Sequence, residues 1–215
     1  MSAKWLLGII VPVLFLACSA LGQVNELSVT AGRTFVSTQT ILNDPLSTNP
    51  HIHFGNEETI AFNYARLLKG GKFLGFHAEL PVVIYPRMDL NTGLNQIPKD
   101  IGALFVTPSF RMNLFSGDSV TPWVSAGGGY GRFRYAKEAN YGYGTYIGPG
   151  GSNTGVVQFG AGLDVWVWHH WGFRVEARDF YSGNPYLNAI AGEPINTSNS
   201  RQHNYYVGAG IAHRF

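Results

Sequence analysis

The sequence predicts an all-β fold: an eight-stranded, antiparallel, up-and-down β-barrel that crosses a membrane with its strands. Three observations carry this. Long stretches alternate with a period of two between an apolar parity and a polar or small one, the mark of a strand with unlike faces. Charge is scarce (13%) while Gly (27), Phe (14) and Tyr (11) are abundant in 215 residues, where a soluble domain carries about 25% charge. The connections between the alternating stretches run long, short, long, short, long, short, long. In an up-and-down barrel that order gathers every long connection at one rim and every short turn at the other.

The clearest pair of strands lies between Val156 and Phe180. Val157, Phe159, Ala161, Leu163, Val165 and Val167 share one parity, and Gln158, Gly160, Gly162, Asp164, Trp166 and Trp168 the other. After His169-His170 the pattern restarts, with Trp171, Phe173, Val175 and Ala177 against Arg174, Glu176 and Arg178. Strands of about ten residues are long enough to cross a bilayer when tilted. Charges confined to one side place lipid outside and a polar interior within.

The remaining elements follow in order. Residues 1–22 read as a signal peptide: Lys4 is the basic start, Trp5 to Ala17 the apolar run, and Ala20-Leu21-Gly22 a small-x-small cleavage site. Cleavage there removes Cys18, the single cysteine, and leaves 14 basic against 13 acidic residues in a mature barrel domain, 23–215. That near-neutral balance gives no reason to expect nucleic acid. Glu26 to Val36 alternates Leu27, Val29 and Ala31 with Ser28, Thr30 and Gly32. Ser37 to Asn56, broken by Pro45 and Pro50, is the first long loop. Glu58 to Leu68 and Lys72 to Val83 flank a turn at Lys69-Gly70-Gly71, and Tyr85 to Ile101 is the second long loop. Ala103 to Phe115 sets Leu104, Val106, Phe110, Met112 and Leu114 against Thr107, Ser109, Arg111 and Asn113. A turn at Gly117-Asp118-Ser119 leads to the glycine-rich strand Val120 to Tyr135. Ala136 to Asn153 and Ser182 to Arg201 are the third and fourth long loops.

Parity constrains the turns. Paired residues in a hairpin face the same side, and the outward sets keep their parity across all three short turns. Each turn therefore holds an odd number of residues unless a bulge intervenes, and Gly71 stands where a left-handed glycine closes a three-residue loop.

The closing strand alternates Tyr205, Val207, Ala209, Ile211, His213 and Phe215 with Asn204, Tyr206, Gly208, Gly210, Ala212 and Arg214. In this the chain resembles the OmpA-like and OmpX-like eight-stranded outer-membrane barrels of Gram-negative bacteria. In that family a terminal aromatic on an alternating strand, with a glycine shortly before it, is the signal read by the outer-membrane assembly machinery. Phe215 and Gly210 match it, while His213 stands where a second aromatic or large apolar residue is usual. The segment Trp171 to Tyr181 looks like the family's seventh strand, and the likeness covers about Gln23 to Phe215. It implies four long extracellular loops, three short periplasmic turns, a bacterial outer-membrane location, lipid contact and a porin-like monomer; with nothing following Phe215, the separate peptidoglycan-binding domain that many relatives carry is not expected. A lipocalin-like soluble barrel shares the alternation but turns its apolar face inward. Phe, Leu and Val on nearly every strand exceed what one small cavity holds, and Gly and Ser on the opposite face suit a crowded lumen.

An eight-stranded barrel is just wide enough for side chains to fill. Glu79, Arg111, Asp164, Arg174, Glu176 and Arg178 are expected to point inward, with Asn63, Ser109 and Gln158 among them. Buried charges must pair, so a cross-strand ionic network is expected, with Asp164 opposite Arg174 or Glu176. It either plugs the lumen or lines a narrow ion or small-solute channel. Trp166, Trp168 and Trp171 near one rim, and Tyr130, Phe133 and Tyr135 near the other, read as the aromatic girdles of a membrane barrel. His51 and His53 near Ser47, with His169, His170 and His203, are the histidines that the chemistry of a lipid A-modifying enzyme could draw on. No deacylase-like His-x-Ser-Asn arrangement is present. No ligand set with convincing spacing joins His51-Ile52-His53, so neither metal, cofactor nor catalysis is expected. The long loops, including Tyr141, Tyr143 and Tyr146, are the expected surface for a ligand.

Overall fold

A computed structural model describes residues 25–42, 51–92, 100–116, 119–135, 138–140, 145–147, 150–186 and 196–215. The signal-peptide expectation over 1–22 and the loop tyrosines Tyr141 and Tyr143 lie outside them. Eight strands form the wall: β1 (Asn25–Val36), β2 (Glu57–Gly70), β3 (Leu74–Thr92), β4 in two segments (Asp100–Val106 and Ser109–Leu114), β5 (Val120–Tyr135), β6 (Gly151–Trp166), β7 (Trp171–Gly183) and β8 (Arg201–Arg214). Each pairs antiparallel with its sequence neighbours, and β8 pairs with β1, so the sheet closes.

The register fixes the stagger. From Phe35 the partners run through Tyr205, Asp179, Phe159, Ala126, Phe110, Ala78 and Arg66 to Asn25, ten residues from the start. Strands staggered in this way tilt by about 40°, so about ten residues of each cover the thickness of a membrane.

Which face meets hydrocarbon is decided by burial. Phe159 and Val175 are 57% and 55% exposed, whereas Arg174 and Glu176 are 1% and 2% exposed. A soluble barrel would show the reverse. The outward parity is Leu27, Val29, Ile60, Phe62, Phe76, Leu80, Phe110, Val124, Val157, Phe173, Val207 and Ile211, all exposed. Val175 stands near mid-height, so Val175→Arg is expected to lower the unfolding free energy in phospholipid vesicles by about 2 kcal/mol; urea titration of the folded fraction measures it.

Several boundaries differ from expectation. The second long connection is shorter: β3 continues to Thr92 and β4 begins at Asp100, with Met88 paired to Ile101. A bulge between Tyr85 and Met88 moves the inward parity from odd to even residues and so hides the alternation. Above the wall, Gln39–Thr40 and His51–Phe54 form short strands, and the latter pairs with the top of β3. The third connection carries a small hairpin of Glu138–Asn140 with Thr145–Ile147, and β6 starts at Gly151.

The first short turn is displaced as well. Strand β2 runs on through Lys69 and Gly70, and Gly71 N–H donates to the Leu74 carbonyl at 2.8 Å around Lys72-Phe73. This loop has two residues, and a bulge between Leu67 and Lys69 restores the parity. Gly71 takes no left-handed φ; among the described non-glycine residues Phe115 does, at 54°, beside the second turn. The third turn has odd length: Val167 N–H donates to the Trp171 carbonyl at 3.1 Å across Trp168-His169-His170.

Candidate functional site: the filled lumen

The inward faces of the strands fill the barrel in two layers. The layer nearer the short turns is ionic. The N-terminal end of β1 brings Glu26, β3 brings Glu79, β4 Arg111, β6 Asp164, β7 Arg174, Glu176 and Arg178, and β8 Arg214. Register sets Asp164 directly across from Arg174. The Arg174 Nε and Nη2 donate to the two Asp164 oxygens, each at 2.7 Å. The same Nη2 reaches Glu26, and Arg174 Nη1 donates to Ser28 Oγ at 2.8 Å. Arg111 Nη1 donates to Glu26 at 2.7 Å and lies 4.0 Å from Glu79. Arg178 joins Glu79 at 2.7 Å and Glu176 at 2.9 Å. Arg214 Nε closes on Glu26 at 3.4 Å. Four carboxylates thus meet four guanidiniums, in line with the rule that buried charges persist when paired and hydrogen-bonded.

Trp123 is the hub of this layer. Its indole N–H donates to Asp164 at 3.2 Å. The guanidiniums of Arg111, Arg174 and Arg178 lie 5.7, 5.2 and 4.9 Å from its ring centre, within cation–π range. Gly162 on β6 leaves the space, since a Cβ there would meet the Trp123 ring at 2.4 Å.

Above it lies an apolar layer. Phe105 stacks on Phe180 at 5.2 Å and meets Phe133 edge-on at 5.9 Å. Tyr85, Met88, Ile101, Val156 and Tyr206 belong to the same cluster. Thr30 links the layers, donating to Glu176 at 2.6 Å and sharing a hydrogen bond with Tyr206 Oη at 2.8 Å. Along the wall of β2 to β4, Asn63, Asn113 and His77 Nδ1 are buried without a hydrogen-bond partner from the described protein atoms.

All six charged residues expected in the lumen sit there, together with Asn63, Ser109 and Gln158. Three participants escaped the sequence reading, although parity marks them. Glu26 shares the parity of Ser28 and Thr30, Trp123 that of Ser125, and Arg214 that of Gly210. The girdle reading needs correction at three positions. Tyr130, Trp168 and Trp171 face outward, at 43%, 66% and 46% exposure. Tyr135 and Phe133 turn inward and join the apolar layer. Trp166 takes the inward parity, with the Arg214 guanidinium 3.5 Å from its ring centre. Phe133 and Tyr135 are buried in the apolar layer beside Phe105, while Trp166, partly buried, packs against the Arg214 guanidinium.

Phe215 continues the ladder between β8 and β1: its N–H donates to the Asn25 carbonyl at 2.9 Å and its carbonyl accepts from Asn25 N–H at 2.8 Å. Gly210 faces Thr30 at the same seam. His51 and His53 lie beside Thr40 and Thr38 on the first connection. His170 Nδ1 lies 3.0 Å from the Arg214 carbonyl.

A closed eight-stranded antiparallel wall, an apolar exterior and a packed charged lumen define an eight-stranded bacterial outer-membrane β-barrel. Among solved structures the chain is similar to the outer membrane protein OprG of Pseudomonas aeruginosa, at 11% identity and a TM-score of 0.54 over 90% of this chain and 95% of that one. It is similar to the outer membrane protein AlkL in lipid bilayers (14%, TM-score 0.53, 92% and 93% covered) and to Neisserial surface protein A (12%, 0.51, 91% and 100%). The likeness is one of fold. No protein-family model and no curated protein matches the chain.

Proposed function

We propose that this barrel is a non-catalytic outer-membrane protein with a plugged lumen, acting structurally or through ligands held by its long connections. The observation that carries this is the paired charge layer, Glu26, Glu79, Asp164 and Glu176 with Arg111, Arg174, Arg178 and Arg214, capped by the Phe105 cluster. A solute crossing the lumen would have to part buried ion pairs and displace stacked rings. In this reading the long connections face the exterior and the short turns the periplasm, the protein works as a monomer without metal or cofactor, and Gly210 and Phe215 serve the assembly machinery.

A narrow channel is the second reading. It draws on Asn63, His77 and Asn113, whose unpartnered polar atoms form a polar strip along one wall. Planar-bilayer recording separates the two. The wild-type chain is expected to show no steady openings; sustained single-channel currents that change in Arg174→Ala would favour the channel instead.

A further inference from the structure

On β7 the outward positions Trp171, Phe173, Val175 and Ala177 are apolar, and the next is Asp179. Its Oδ2 lies 2.7 Å from Nδ1 of His203 on β8, and the two side chains are 24% and 43% exposed, so the couple belongs to the outer surface of the wall. Aromatic rings frame it. The His203 ring lies parallel to Tyr205, 5.4 Å away and within 3°, and 4.8 Å from Tyr181. The Arg201 guanidinium lies 5.5 Å from the Tyr181 ring centre. Among the described residues no carboxylate forms an ion pair with Arg201.

Height tells what this group meets. From Trp171 at the short-turn rim to Asp179, about 3.3 Å per residue on a strand tilted about 40° gives a climb of about 20 Å. The apolar band of such barrels is about 25 Å tall, and a charge near its edge costs roughly 0–1 kcal/mol where one at mid-height costs about 2–4. The couple therefore stands where acyl chains give way to headgroups. Its chemistry is that of a sugar-phosphate site. Tyrosine rings pack against the C–H face of a pyranose, Arg201 and the His203 imidazole meet a phosphate, and Asp179, whose Oδ1 is buried, holds the imidazole in place through Oδ2.

We propose that His203, held by Asp179, and Arg201, framed by Tyr181 and Tyr205, bind the phosphorylated sugar headgroup of an outer-leaflet glycolipid. The site lies on the barrel wall and is separate from any ligand of the long connections; it rests on the long-connection rim facing the exterior.

Native mass spectrometry of the full refolded chain tests it. The barrel is released from mixed micelles containing a bis-phosphorylated glucosamine-disaccharide lipid, the same lipid without phosphates, or phosphatidylglycerol. The phosphorylated glycolipid is expected to be retained over both others, and Arg201→Gln combined with His203→Gln to lower its retention roughly tenfold. Heat-modified gel mobility reports folding; Arg201→Gln alone, away from the carboxylate–imidazole contact, gives a second variant with a smaller loss of the same sign. Arg132→Gln with Arg134→Gln on β5 is expected to leave retention unchanged. Equal retention of phosphatidylglycerol, an unchanged double variant, or an equal loss in the β5 variant would overturn the proposal. Retention here is independent of conductance, so this site and the plugged lumen fail separately.

Discussion

Glu26→Ala is expected to lower the unfolding free energy of the refolded barrel by about 3–5 kcal/mol. Glu26 is the carboxylate shared by Arg111, Arg174 and Arg214. Removing it leaves the buried Arg111 with only Glu79, 4.0 Å away and already engaged by Arg178, and takes a partner from Arg174, which keeps Asp164, and from the partly exposed Arg214. The penalty comes from the stranded cation more than from the lost contact. Replacing Glu26 together with Arg111, as Glu26→Gln with Arg111→Met, is therefore expected to cost less than the sum of the two single changes. Urea unfolding followed by the gel shift between folded and unfolded forms measures both. Full additivity would show that these charges act independently and that the network is a set of isolated pairs.

Gly210→Val is expected to prevent recovery of the closed barrel in detergent, at a cost of roughly 3 kcal/mol or more. A Cβ at this position would lie 1.9 Å from the Val29 carbonyl oxygen and 2.7 Å from the Thr30 Cα. Both are backbone atoms of β1, so no side chain can swing aside; the seam between first and last strands must open. The proposed assembly signal gives this residue another role, and refolding of purified protein tells the two apart. Normal refolding of Gly210→Val in detergent, with loss of the barrel only in cells, would assign the glycine to recognition alone.

Alternation made the wall legible wherever one face is wholly apolar, as in Val157 to Val167 opposite Trp171 to Ala177. It failed where a bulge shifts parity, which is why Tyr85 to Thr92 looked like a loop. Turn position was poorly marked for the same reason: the bulge near Leu68 permits a two-residue loop at Lys72-Phe73, and the nearby glycines drew attention one residue pair too early. The stagger of ten residues depends on which distant strands meet and leaves no local trace. Inside the lumen, charge was easier to place than aromaticity. Arg174 and Glu176 are out of place anywhere in lipid, whereas Phe133, Tyr135 and Trp166 fit either a girdle or a packed interior. Only their parity, carried up from Trp123 and Ser125 or down from Asp164, separates the two. Glu26 lies inside the strand read from the sequence and carries the same parity as Ser28, but as the first residue of that strand it stands apart from the alternating run that marks the lumen face.

The four carboxylates and four guanidiniums of the network, of which Arg214 is partly exposed, balance in charge, and this has an electrical consequence. A potential across the membrane does work on a net displaced charge, about 2.3 kcal/mol per unit charge per 100 mV. The eight ionic groups of the lumen sum to zero and are bound to one another, so a voltage step pulls their members in opposing directions and has no net lever with which to shift them as a body.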